Sequence, residues 1–217
     1  AQQPEKTDLG EMPEVKDIVA LLDALVSPQH DLSLAQALKS PLFGVSDEAL
    51  IELVLFQQSQ KSGARWFDLL QSESLTIPSL QGIGAKLNQW KSWLDTLPPH
   101  DALAAIYHDG DVLARFAAAT PATLRASVLA NLQALLSAAL QIDGARYATP
   151  YAFVRALKAG GVKSPARSSA KAVQLLTVHG AKGLEASVVL LLDTDAQEKR
   201  AQTMGVLVDW PGESLIP

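Results

Sequence analysis

The sequence predicts a mainly α-helical protein, a compact multi-helix domain followed by a small α/β part. Three observations predict it. From Val15 to Gly160 apolar residues recur at helical spacing between proline, glycine and short polar breaks. The polar stretch Lys163 to Lys171 interrupts that pattern. Beyond it, Leu175 to Val178 and Val188 to Leu192 are short Val/Leu runs that do not alternate, as suits strands buried on both faces of a parallel sheet. The expected organisation is a flexible lead-in over residues 1–14, a helical domain over 15–162, a linker over 163–171 and an α/β part over 172–217.

Each element has a local cause. Ala1 to Met12 is rich in Gln, Pro, Glu and Lys and poor in apolar side chains, and it starts without Met, as a piece of a longer protein would. Val15, Ile18, Val19, Leu22, Leu25 and Val26 share a helix face that ends before Pro28. Asp31 to Lys39 forms a short helix stopped at Ser40-Pro41, because the residue before proline is pushed out of the helical region. Ser46 caps a third helix, with Asp47 and Glu48 in its first turn and Leu50, Ile51, Val54 and Leu55 as its expected buried stripe. Trp66 to Leu70 makes a short helix. Leu80, Ile83, Leu87, Trp90, Leu94 and Leu97 follow with gaps of three, four, three, four and three, one face that must be buried, ended by Pro98-Pro99.

His100 to His108 and Asp111 to Ala118 form two helices around Asp109-Gly110. Pro121 starts a longer helix with the stripe Leu124, Val128, Leu132, Leu135, Leu136 and Leu140, ended at Asp143-Gly144. Tyr151, Val154 and Leu157 serve a last helix closed by Gly160-Gly161.

Composition narrows the function classes. The net charge of −5 argues against a protein that coats DNA all over. Charge is nevertheless uneven: from Gly144 to Leu184 there are seven basic residues and no Asp or Glu. That stretch is either a local anion contact or a solvated basic face. The absence of cysteine excludes disulfides and thiolate metal sites, and it suits the cytoplasm. No signal peptide or apolar run of membrane length is read from the sequence, so no membrane partner is expected.

The residues that carry chemistry lie between the two apolar runs. His179-Gly180-Ala181-Lys182-Gly183-Leu184-Glu185 places a His, a Lys and a Glu on a hinge with two glycines, where a strand would hand over to a loop. Taken alone, His179 is a structural histidine and Glu185 a surface carboxylate more often than ligand contacts. The phosphate cradle Gly-x-x-x-x-Gly-Lys-Ser/Thr occurs nowhere, and no Asp-Glu pair follows a strand to hold a magnesium ion. No catalytic and no metal-ligating residue is therefore expected, and the chain alone should hydrolyse no ATP. Gln81-Gly82-Ile83-Gly84 has the wording of a helix-hairpin-helix turn that offers amides to a DNA phosphate. Pro78 stands too early for that module, which favours a plain helix start. His30, His100 and His108 lack metal-ligand spacing and are expected at the surface.

Thr177 to Glu185, followed by its apolar run, resembles motif V of the superfamily 1 helicases related to UvrD. The wording Leu176 to Glu185 is most similar to the RecB and AddA helicase-nuclease branch. Ala186-Ser187 departs from the family, which places an aromatic residue there. Asp31 to Ala35 and Lys39 to Gly44 resemble the helical 2B subdomain of the same branch, in the same order along the chain. The resemblance implies a 2B subdomain followed by part of the RecA-like (P-loop NTPase) 2A subdomain. It implies that Glu185 hydrogen-bonds the ribose of ATP, with Gly183 letting backbone approach, and that Thr177 and His179 contact single-stranded DNA beside Gly180. Lys182 would meet a phosphate or brace the loop against a carboxylate.

The parent so implied is an ATP-dependent DNA helicase/exonuclease subunit of break repair and recombination. It would use ATP and Mg, act on single strands and duplex ends, and work with a partner subunit; nothing is expected bound to this chain alone. The rival reading is a non-catalytic helical module for DNA binding or subunit docking.

Overall fold

The computed structural model describes residues 8–60, 63–141, 149–165, 173 and 175–192. The chain divides into two compact units, Ala1–Leu176 and Thr177–Pro217. Among the described residues the first unit holds nine α-helices: α1 (Pro13–Val26), α2 (Asp31–Lys39), α3 (Asp47–Ser59), α4 (Trp66–Leu69), α5 (Ile83–Thr96), α6 (Pro99–Asp109), α7 (Val112–Ala119), α8 (Ala122–Gln141) and α9 (Pro150–Ala159). Short 3-10 turns, Leu9–Glu11 and Pro78–Leu80, precede α1 and α5. A mainly α-helical protein is what the structure shows.

Helix α1 is the axis of this unit. Val15, Ile18, Leu21, Leu22 and Leu25 are all buried and point in several directions around it, the signature of a helix enclosed on more than one side. It packs against α2, α5, α8 and α9. Pro13 opens it at a position where the missing N–H is not needed. Helices α5 to α8 pack on one another in sequence, α5 on α6, α6 on α7 and α8, and α7 on α8. Trp90 sits among them with its ring centroid 5.7 Å from that of Phe43 and its indole N–H donating to Asp109 at 2.8 Å.

Helix ends follow the local signals. The Ser46 hydroxyl accepts from the Ala49 amide at 3.3 Å and caps α3, and the Thr149 hydroxyl caps α9 by accepting from Ala152 at 3.1 Å. The Asp31 carboxylate accepts from the Trp66 amide at 3.0 Å, tying the start of α2 to the start of α4. Gly82, in the left-handed region at φ 78°, precedes α5. Gly84 is buried against the Leu70 carbonyl, so the Gln81 to Gly84 wording serves a helix start in close packing.

Several expectations are corrected. The α3 stripe turns by one position: Ala49, Leu50 and Leu53 are buried, Val54 is partly covered, and Ile51 and Leu55 face outward. Leu97, Leu124, Leu140 and Tyr151 are likewise exposed, while Phe153 fills the α9 core position. The lead-in is anchored from Asp8 onward: Leu9 is buried and its amide donates to the Val162 carbonyl at 2.7 Å, while Asp8 accepts from the amides of Gly10 and Gly161. Lys163 and Ser164, assigned to the linker, also belong to the helical unit. Lys163 forms a β-bridge with Asp8, and the Ser164 hydroxyl donates to Asn131 at 2.7 Å. Residues 1–7, 166–172 and 193–217, and the expected stop at Asp143-Gly144, lie outside the described residues. So does the expected strand from Gly205 to Trp210.

By length and apolar composition α8 alone among the described helices could cross a membrane, a feature that periodicity by itself did not single out. Its Leu132, Leu135, Ala138 and Ala139 face the core, and buried Asn131 donates to the Glu14 carboxylate at 2.6 Å.

A second buried polar node holds α1, α2 and α9 together. Asp23 accepts from Ser33 at 2.6 Å and lies 3.0 Å from the His30 ring and 2.8 Å from the Lys158 ammonium. His30 is exposed, as expected, and one ring nitrogen reaches this node. Burial alone would raise the Asp23 pKa, but hydrogen bonds from Lys158, Ser33 and His30 outweigh it and hold the carboxyl below its ordinary value. A depressed carboxyl pKa contributes stability that is present above the unfolded value of about 3.9 and is lost as pH falls through the folded value. Urea unfolding between pH 7 and pH 3 should therefore show Asp23→Asn less stable than the parent at pH 7, with the gap closing below about pH 4. A gap that stays constant with pH would contradict the node.

Candidate functional site

The stretch singled out by the sequence forms one capped turn. The Ala181 amide donates to the Thr177 carbonyl at 2.9 Å, closing a single helical turn. The Thr177 hydroxyl accepts from the Gly180 amide at 3.0 Å, the geometry of a helix N-cap. Lys182 and Leu184 amides donate to the carbonyls of His179 and Ala181 at 3.3 and 3.0 Å. Gly183, at φ 81°, ends the turn in the left-handed region that a side chain resists. The glycines therefore have separate jobs. Gly180 brings its amide against Thr177, and Gly183 reverses the chain.

Thr177, His179, Gly180, Lys182, Gly183 and Glu185 are all exposed, so the turn displays every residue the sequence marked. Among the described residues the side chains of His179, Lys182 and Glu185 form no ion pair or hydrogen bond with each other or with another described residue. Lys182 has no carboxylate partner among the described residues. A lysine and a carboxylate held open on one short turn can meet an anion and a pair of hydroxyls. The role that sequence reasoning missed is the Thr177 cap. A hydroxyl residue three positions before a glycine was its signal.

The expected strands do not form among the described residues. Leu175 to Val178 and Val188 to Leu192 make no ladder, because a strand is completed only by a hydrogen-bonded neighbour. Val188, Val189, Leu190, Leu191 and Leu192 are each at least 70% exposed. Five consecutive apolar residues in that state are strand material without a cover.

Two clefts in the helical unit offer less. One of 270 Å³ lies beside α1, α2 and α9, where Lys16 is paired with Glu11 and Lys158 with Asp23. The other, 630 Å³, runs along α8 past Ala130, Ala134 and Ser137 and has Lys163 as its one charged lining residue among those described. Among the described residues no three His, Asp or Glu side chains converge as a metal site.

Most of the chain is similar to named proteins. It is 25% identical to an ATP-dependent helicase/nuclease subunit of Oenococcus oeni over 207 residues, covering 90% of this chain and 17% of that protein. It is 27% identical to the protein of the same name from Lactococcus lactis subsp. lactis over 214 residues, with 88% and 17% covered. Against the exonuclease/helicase subunit RexA of Lactococcus lactis subsp. cremoris it is 26% identical over 213 residues, again with 88% and 17% covered. The chain thus resembles the AddA/RexA helicase-nuclease proteins and spans about a sixth of their length. No protein-family model matches it.

Proposed function

We propose that the chain supplies the helical 2B-like subdomain and the motif V loop of an ATP-dependent helicase subunit in a helicase-nuclease that unwinds and resects broken DNA ends in the cytoplasm. The observation that carries this reading is the Thr177 to Glu185 turn, which holds out the residues that motif V needs exposed. On this reading the chain returns through that turn into a RecA-like 2A subdomain. Val188 to Leu192 then becomes a central strand, and its bare apolar surface is what such a strand presents without its neighbours.

Within that frame each residue has a task its chemistry suits. The Glu185 carboxylate accepts from the two vicinal hydroxyls of the ATP ribose, and the left-handed Gly183 leaves room for backbone beside the sugar. His179 meets the single strand, with Gly180 beside it, and Lys182 meets a phosphate. Thr177 uses its acceptor on the Gly180 amide and keeps its hydroxyl proton to donate to the strand. ATP with Mg supplies the phosphoryl transfer that drives strand movement. The phosphate cradle and the magnesium ligands have no counterpart in this sequence, so this part holds sugar and strand and performs no hydrolysis.

One ATPase and strand-binding experiment tests the reading. The chain alone should show no turnover with or without DNA. In the full-length parent protein, His179→Ala should weaken single-strand affinity roughly three- to tenfold. Turnover by the pure chain, or unchanged strand affinity in the variant, would overturn it.

A further inference from the structure

Helix α3 presents an apolar face that nothing among the described residues covers. Ile51 and Leu55 are 60% and 59% exposed. With Asp47, Leu50 and Val54 they line a shallow groove of 360 Å³. Positions 48, 51, 52 and 55 fall on one helix face, so the exposed acids Glu48 and Glu52 form a row along one edge of the Ile51–Leu55 ridge. Helix α3 carries Asp47, Glu48 and Glu52 and no basic residue. Asp47 is paired with Lys39 at 2.5 Å, whereas Glu48 and Glu52 have no ion pair among the described residues.

An apolar ridge edged by carboxylates is selective about what can lie on it. Nucleic acid is repelled by the carboxylates and offers no apolar complement. A second copy of the same face would set Glu48 and Glu52 against their own equivalents, a like-charge contact that opposes pairing. A helix with an apolar stripe flanked by Lys or Arg satisfies both components, filling the groove with its stripe and pairing its charges with the rim. We propose that the α3 face is a docking surface for a basic amphipathic helix of a partner protein. Binding there is independent of the Thr177 to Glu185 turn and stands whether or not that turn contacts nucleotide.

The test uses the whole chain and two fluorescein-labelled peptides about five helical turns long, both with Leu on one face, one with Lys and the other with Glu on the flanks. Anisotropy titration at low salt should show the Lys peptide binding at least about tenfold more tightly than the Glu peptide. The double variant Ile51→Ser, Leu55→Ser keeps the charge and should weaken the Lys peptide by about tenfold or more. The double variant Glu48→Lys, Glu52→Lys should reverse the preference. All four side chains are solvent-facing, and thermal melts by circular dichroism verify that the variants fold. Failure of the Lys peptide to bind, or binding indifferent to the Ser pair, would overturn the proposal. So would a dimer in sedimentation that the Ser pair disperses, because the second copy would then be the occupant.

Discussion

Trp90→Ala is expected to destabilise the helical domain by about 4 kcal/mol and to lower its melting temperature by roughly 10 °C. Trp90 is fully buried on α5 and touches two other parts of the fold. Its ring stacks at a tilt on Phe43, with centroids 5.7 Å apart. Its indole N–H donates to Asp109 at the end of α6, and the Lys86 ammonium sits 5.5 Å from the ring centroid. Close approach of Gly110, where a Cβ would lie 3.2 Å from the indole, closes the pocket. Truncation leaves a cavity that the surrounding backbone segments cannot collapse into. It also leaves the Asp109 carboxylate without its indole donor, with Lys86 3.4 Å away as its remaining partner. Trp90→Phe keeps much of the ring and loses the N–H donor, so its effect should be smaller, about 1 to 2 kcal/mol. Urea and thermal unfolding measure both, and a Trp90→Ala effect below about 1 kcal/mol would contradict this packing.

Gly84→Ala is the second large effect, on the order of 2 to 3 kcal/mol. A Cβ at position 84 would stand 2.0 Å from the Leu70 carbonyl oxygen and 2.9 Å from the Gln71 amide nitrogen, both backbone atoms that cannot swing aside. Helix α5 would have to withdraw from the end of α4. Alanine's better helix propensity returns at most about 1 kcal/mol of this. Gly82 is the control: it has a left-handed φ of 78° and nothing within 4 Å, so Gly82→Ala carries backbone strain alone, about 1 to 2 kcal/mol. Melts should rank Gly84→Ala below Gly82→Ala, and the reverse order would mean that the α4–α5 contact is not tight. The ranking also bears on function, since a glycine required for helix packing is not one kept open for a DNA phosphate.

Where the sequence was legible, the cause was local. Ser40-Pro41 stops α2 and Ser46 starts α3 because capping and the proline restriction act within a few residues. Periodicity was less decisive. It groups Leu50, Ile51, Val54 and Leu55 on one arc of α3, but which arc is covered depends on α4, and the fold buries Leu50 together with Ala49 and Leu53 while Ile51 and Leu55 stay exposed. Tyr151 failed in the same way on α9. The anchoring of Asp8 was invisible because its partner Gly161 lies 153 residues away. At the site, the wording of Thr177 to Glu185 and the use of its glycines could be read directly, since a single turn closes on itself. Strands could not be confirmed by composition alone. Val188 to Leu192 has the residues for one, but a ladder needs a neighbour, and pairing is never local in a parallel sheet.

Glu185 as the ribose contact is the claim on which the proposed function most directly depends. Its exposed carboxylate ends a preformed turn, so removing it should subtract hydrogen bonds from nucleotide and leave the fold alone. The decisive measurement is a pair of titrations, nucleotide and single strand, on the full-length parent protein carrying Glu185→Ala. The expected result is a loss of ATP affinity of roughly five- to a hundredfold, from about 1 to 3 kcal/mol of charged-acceptor hydrogen bonding, with strand affinity nearly unchanged. Equal weakening of both ligands, unchanged ATP affinity, or a melted protein would show that the turn is structural and contradict its assignment as a nucleotide-contacting loop.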